Sequence, residues 1–383
     1  MTPTQFESFP LYAIQTILIA AVMYLLVWRQ PLILRLQVLG WVAGVLAIAW
    51  RNGPIAQLGF YSNDQIHYAS VINILVSETW PHDSSWWLEY SKIPYPMAAY
   101  PLALIGIHGA LALKTVSLVC LLALSRAVID QHAEAGFTSQ FKVLYLTNCG
   151  LIGPFFSLLA LRETMMMYFV YRYTTDRSVI ARLVSFGILF LLRSHLATAL
   201  IVAELVLAAW RWFTGHRRTG FVEVPVLIVG GVTLGTILFS IRFAGIDEVR
   251  TPFTGDFGRS DVIQIASNFV GLQFATSHEA FVRLSVSELL LLRIIFSDTI
   301  LTPLVFTVVC FVFGNKLSER NRFVLLVFCI YVAIVTNTDF NSFRQNIPLM
   351  PLLGLVILDI IGERRRRAGI DYRRERAPAL LVN

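Results

Sequence analysis

Long apolar runs, separated by short polar knots, extend along the chain from Tyr12 to about Ile361. Several approach the roughly 17–25 residues that a helix needs to cross a bilayer. The pattern predicts about eleven spans, near 11–28, 33–50, 110–128, 143–161, 162–175, 178–193, 195–210, 222–241, 295–313, 323–336 and 347–361. The fifth is the shortest and carries Arg162 and Arg172 at its ends. The expected class is all-α: a polytopic integral membrane protein, residues 1–383 forming a single membrane domain. Two long connections, 51–97 and 242–294, and a basic tail, 363–383, lie outside the spans.

Composition agrees with this reading. Of 383 residues, 56% are hydrophobic and 14% charged, more apolar surface than one soluble core hides. The first run has Glu7 before it in place of a basic segment and shows no A-x-A pattern, so it is expected to stay as a span. Cys120, Cys149, Cys310 and Cys329 all fall inside apolar runs without CxxC spacing, which points to core packing. Gly40 with Gly44, and Gly231 with Gly235, have the spacing of close helix–helix contacts.

The net charge of +7 matters only once it is placed. With the N-terminus outside, alternate connections and the tail hold roughly two thirds of the 31 Lys and Arg residues, as expected of cytoplasmic segments. The C-terminal "ERRRRAGIDYRRER" then reads as an anchor beside anionic lipid headgroups, not as a nucleic-acid site. The first outer loop carries Trp80, Trp86, Trp87, Tyr90, Tyr95 and Tyr100, residues suited to a membrane–water interface. Pro94, Pro96 and Pro101 with Gly106 and Gly109 argue for a re-entrant or surface-lying segment near 98–109.

Charges within or flush with spans cost about 2.5–3.5 kcal/mol each at the bilayer centre. Several gather on the predicted outer side. Arg162 and Glu163 lie at one outer turn, Arg193 and His195 at the next, and Asp339 and Arg344 at the last. Taken singly, each arginine has a simple reading as a snorkelling or locally paired side chain. Three short hairpins delivering a guanidinium to one leaflet suit the oxygens of a lipid diphosphate. Glu204, inside the seventh span, reads either as a proton-relay carboxylate or, the preferred reading, as a protonated or hydrogen-bonded packing residue.

In "YSNDQIHYASVI", Ser62-Asn63-Asp64-Gln65 fits a capping box and predicts a helix start at Ser62. Asp64, His67 and Tyr68 then share one helical face. Asp64 could accept a proton from an attacking hydroxyl, with His67 orienting it or serving as the base. The helix dipole alone also accounts for an acid in a first turn.

Three stretches resemble the Wzy/EpsG-type polysaccharide polymerases, and more distantly the GT-C glycosyltransferases that use polyprenyl-linked donors. They are "SNDQIHY", then "LALRETMMMYFVYRYTTDRS" followed by "LLRSHLATALI", and last "NSFRQNIPLMPLLGL". The resemblance implies that Arg162, Arg193 and Arg344 bind lipid pyrophosphate while Asp64 and His195 act near the acceptor hydroxyl. It departs at Arg162-Glu163, where such polymerases often have Arg-Gln, and at Asp64-Gln65, where GT-C enzymes often have paired acids. The implied activity is polymerisation of polyprenyl-diphosphate-linked repeat units (O-antigen or exopolysaccharide) at a bacterial inner membrane. Its partners would be the lipid-linked glycan, membrane lipid and other polysaccharide-assembly proteins. No cofactor or metal is expected, a divalent metal entering only on the GT-C alternative. That alternative is transfer of a single sugar; a lipid-glycan flippase or transporter is another.

Overall fold

The computed structural model describes residues 3–55, 60–77, 93–214, 223–243, 302–313, 317–336 and 343–362. Among them the secondary structure is helical and no strand occurs. Among the described residues four helices are long and apolar enough to cross a membrane: Phe9–Leu26, Leu32–Asn52, Gly109–His132 and Ser194–Phe213. Shorter apolar helices cover Val179–Leu192, Glu223–Leu238, Thr302–Val312 and Asn346–Gly362. Of the eleven expected spans, the described residues thus show four of full length beside these shorter helices. The loop 242–294 and the tail 363–383 lie outside the described residues.

Gly109–His132 is the central helix. It is apolar on all sides and the most enclosed of the four, as a helix in the core of a bundle must be. The N-terminal helix instead leaves Ile14, Leu18 and Leu25 exposed, an apolar face of the kind that lipid covers. All four cysteines are buried and free.

The expected span at 143–161 is not one helix. Phe137–Leu146 ends at a break, and a six-residue helix, Ile152–Ser157, follows it. Asn148 takes the left-handed conformation (φ 60°), which an asparagine tolerates better than most residues. Pro154 then lacks the N–H that a continuing helix needs. A broken backbone among apolar helices must find its hydrogen bonds in neighbouring protein. Two residues one turn apart on Leu32–Asn52 supply them: Gln37 Nε2 donates to Cys149 O (2.9 Å) and Trp41 Nε1 to Ser157 O (3.0 Å).

Phe60–Val76 and Pro94–Leu104 pack against the opening turns of the central helix and run antiparallel to it. Ile72 and Asn73 lie where a side chain at Gly109 would meet them. Further along, Tyr68 meets Tyr95 edge-on at 5.4 Å, and the Tyr95 hydroxyl reaches Leu113 O and Ser117 Oγ. The N-terminal turns of both helices therefore point inward, below the Gly109 end. This corrects one expectation. Phe60–Val76 opens at Phe60, so Ser62 lies inside its first turn and not at its cap. The segment near 98–109 is a helix from Pro94 that turns at Gly106 (φ 88°) into the central helix.

Close approach explains one of the two glycine pairs fully. A Cβ on Gly235 would stand 2.4 Å from Ile330 O, and one on Gly231 2.7 Å from Cys329 Cβ, so Glu223–Phe243 lies tightly along Glu319–Thr336. Gly44 similarly meets Leu158, whereas Gly40 faces open space. Glu204 is hydrogen-bonded, as one of its expected readings has it, and its partner is the guanidinium of Arg182 in an ion pair. Arg211–Glu319 (2.7 Å) and Arg322–Glu223 (3.1 Å) tie helix ends together at the far end of the bundle from Gly109.

Candidate functional site

The site begins at the second half of the broken segment. After Ser157 the chain runs through Leu158–Leu161 without regular helix and then enters Glu163–Thr175, with Arg162 at its N-cap. Two neighbours hold this stretch. Gln65 Oε1 accepts from Ala160 N (3.3 Å), and Ser117 Oγ donates to Leu161 O (3.0 Å). Arg162 and Glu163 thus enter the interior at a fixed place, 6% and 0% exposed. Glu163 sits in the first turn, where the helix dipole favours a negative charge.

Arg193 arrives from a different hairpin. It occupies the single-residue joint between Val179–Leu192 and Ser194–Thr214, in extended backbone (φ −158°), and is 5% exposed. The two arginines are linked through that joint: Arg162 Nη1 donates to Leu192 O, a C-terminal carbonyl that the helix itself leaves open. Arg193 Nη1 donates to the Tyr331 hydroxyl at 2.8 Å. The His195 ring stacks on Tyr331 with centroids 5.7 Å apart. Arg162 and Glu163 also act electrostatically on Tyr331, and Glu163 on Tyr95. Two guanidiniums, one carboxylate, one imidazole and two phenols therefore share one buried region.

The structure brings together Arg162, Glu163, Arg193 and His195. Tyr68 joins them through Tyr95, with which it packs. Asp64 and His67 are half-buried on the same helix, next to Gln65 and Tyr68, and the His67 ring meets Tyr68 edge-on at 5.7 Å. The short helix Phe343–Leu349 packs against Glu163–Thr175, which places the backbone of Arg344 beside the arginine helix. Asp339 and the side chain of Arg344 lie outside the described residues. Among the described residues no three His, Cys, Asp or Glu side chains gather as a metal set.

Sequence reasoning missed Tyr331, Ser117 and Lys114, and read Tyr95 as an interface aromatic, whereas the structure buries it fully within the protein. Tyr331 and Ser117 look like ordinary residues of apolar runs. Lys114 carried a signal, since a lone cation inside a span marks a functional site by default. It is fully buried, donating to Pro54 O (2.7 Å) and to the Tyr12 hydroxyl (3.4 Å), and so ties the N-terminal helix and the residue-54 turn to the central helix. Gln15 reinforces the tie by donating to Gly106 O (2.9 Å) and accepting from His108 N (3.1 Å). Outside the spans, burial holds the His108 imidazole below its ordinary value, and Lys114 acts in the same direction. Lys114→Met leaves the buried Tyr12 hydroxyl and the part-buried Pro54 carbonyl without their donor, at up to about 1–3 kcal/mol each. The expected result is a lower melting temperature of the purified protein, read by thermal unfolding in detergent.

A second polar group lies at the His132 end. Arg320 acts on both His132 and Tyr171, and Asp359 on His132. His132 Nε2, Tyr171 Oη and Arg320 Nη2 are buried there with no hydrogen-bond partner among the described residues. Between the two polar groups, Met166, Met167, Val170, Leu325 and Phe328 are all 0% exposed.

A buried Arg–Arg–Glu arrangement is suited to polyanions. Each guanidinium offers five N–H donors in a fixed fork, and Glu163 offsets part of the charge before a polyanion arrives. Compared with known proteins, the chain matches no family model, no curated protein and no solved structure.

Proposed function

We propose that this protein is an inner-membrane polymerase that joins polyprenyl-diphosphate-linked oligosaccharide repeat units on the outer leaflet. The observation that carries the reading is the convergence of Arg162 and Arg193, from separate hairpins, in one buried region with Glu163, Tyr331 and His195. In the reaction, a hydroxyl of the acceptor sugar attacks the anomeric carbon of the donor glycan. The new C–O bond forms as the bond to the lipid diphosphate breaks, and the electron pair leaves with the diphosphate. Arg162 and Arg193, with Arg344 as the third cation, stabilise the charge growing there, and such electrostatic stabilisation commonly contributes most to catalysis of this kind. The hydroxyl proton passes to Asp64, His67 or His195. On this reading the N-terminus is outside, the basic tail is cytoplasmic, and other polysaccharide-assembly proteins deliver the lipid-linked units.

The test is the length distribution of lipid-linked and surface glycan with the gene deleted and restored. A polymerase leaves a single repeat unit on lipid when absent, and long chains return on restoration. Full-length chains lacking one sugar identify the single-sugar transferase instead. A lipid-glycan transporter is the second reading, favoured by the polar group around His132 and Arg320 at the other end of the same helices. The closed apolar packing between the two ends argues against it. Repeat units trapped on the inner leaflet of deleted cells would identify a transporter.

A further inference from the structure

The Tyr95 and Ser117 hydroxyls lie directly behind the backbone that delivers Arg162. We propose that Tyr95 and Ser117 are positioning residues, a hydroxyl brace that fixes the Leu161 carbonyl and so the placement of Arg162 and Glu163. The inference rests on reading the arginine region as a diphosphate site.

The need for a brace follows from the backbone. Leu159, Ala160 and Leu161 are all buried, and they sit between two helices. A buried carbonyl here depends on a side-chain donor. Ser117 Oγ provides one for Leu161, at 3.0 Å.

Counting protons sets the direction of the chain. Two hydroxyl protons face three contacts: Tyr95 to Leu113 O (3.0 Å), Tyr95 to Ser117 Oγ (2.8 Å) and Ser117 to Leu161 O. Leu113 O already lies on the central helix, where the amide four residues on is its natural donor. Leu161 O has no such helix. The arrangement that serves every acceptor runs Tyr95 to Ser117 to Leu161 O, each hydroxyl strengthening the next. Tyr95 is fully buried and meets Tyr68 edge-on, so the brace is anchored on Phe60–Val76 as well as on the central helix.

Removing a link therefore acts unequally. Ser117→Ala takes away the only brace hydroxyl that reaches Leu161, and the phenol turns to Leu113 O. Tyr95→Phe leaves the serine donating and weakens it only indirectly. Ser117→Thr keeps the hydroxyl.

The experiment measures binding of farnesyl diphosphate and farnesyl monophosphate to the purified full chain in detergent. Ser117→Ala is expected to weaken the diphosphate about tenfold while the monophosphate changes less, because two phosphates register the displacement of Arg162 from Arg193. Tyr95→Phe is expected to lose less than Ser117→Ala, and Ser117→Thr to bind as the unaltered protein does. Wild-type diphosphate affinity in Ser117→Ala, with affinity lost in Arg162→Gln, overturns the brace but leaves the arginine site standing. Unchanged binding in Arg162→Gln overturns the site and the brace together. If Ser117→Ala is not recovered folded, Tyr95→Phe decides: wild-type discrimination between the two probes overturns the proposal.

Discussion

Arg193→Gln is expected to lower polymer formation by about 10²–10³-fold, the effect of removing one preorganised donor from a site of developing charge, while the protein accumulates normally. Glutamine retains an N–H able to meet the Tyr331 hydroxyl, which Arg193 holds at 2.8 Å, so the local packing has a replacement donor. What it lacks is the positive charge. Arg193→Lys restores charge without the planar fork and is expected to recover only part of the activity. Arg162 behaves differently because Glu163 follows it and is fully buried. Taking a positive charge out of the region that holds a buried carboxylate is costly, so Arg162→Gln is expected to lower abundance as well as activity. The double change Arg162→Gln with Glu163→Gln should restore abundance without restoring product. Arg126→Ala serves as the control: its ion pair with Asp130 is half-exposed, remote from the site, and its loss leaves glycan length unchanged. Quantifying membrane-embedded protein beside polymer length separates these outcomes. Equal loss of protein and product in Arg193→Gln contradicts the assignment.

Gly354→Ala is expected to have the largest structural effect. A Cβ there would stand 2.0 Å from Leu146 O and 2.7 Å from both Leu146 C and Thr147 Cα. These are backbone atoms at the end of Phe137–Leu146, immediately before the break at Asn148, and they cannot rotate aside. Ordinary overpacking costs about 1–3 kcal/mol, and here the last helix must move bodily. The expected readout is loss of the monodisperse folded species after detergent extraction. Gly40→Ala tests the same idea with the opposite sign. No atom lies within 4 Å of its Cβ position, and replacing glycine inside a helix is favourable by up to about 1 kcal/mol. A higher melting temperature for Gly40→Ala beside collapse of Gly354→Ala is the predicted pair. Similar behaviour of both contradicts the packing described.

What was legible in the sequence divides along physical lines. Hydropathy alone located helices at 178–193 and 195–210, which the structure forms as Val179–Leu192 and Ser194–Thr214, because each run is apolar but for an inner charge, Arg182 in one and Glu204 in the other, and these two pair with each other. The meeting of Arg162 with Arg193 was legible because buried charge is costly enough to need a reason. The break at 147–151 was not. It depends on Gln37 and Trp41, more than a hundred residues earlier, satisfying a backbone that local hydropathy reads as one span. Tyr331 was invisible for a related reason: a phenol in an apolar run looks like core until Arg193 is found bonded to it. Ser62 misled in the other direction. Its capping pattern is local, and the helix opening at Phe60 overrode it. Lys114 carried a signal that the reading of the spans passed over, a cation in the middle of an apolar run, and the structure gives it a tie to Pro54 and Tyr12.

The most direct measurement is made with purified protein in lipid nanodiscs, supplied with lipid-linked repeat units and no other enzyme. The account predicts a ladder of lengthening lipid-linked products from the unaltered protein and none from Arg193→Gln. Addition of a single sugar, or a ladder that persists in Arg193→Gln, contradicts it.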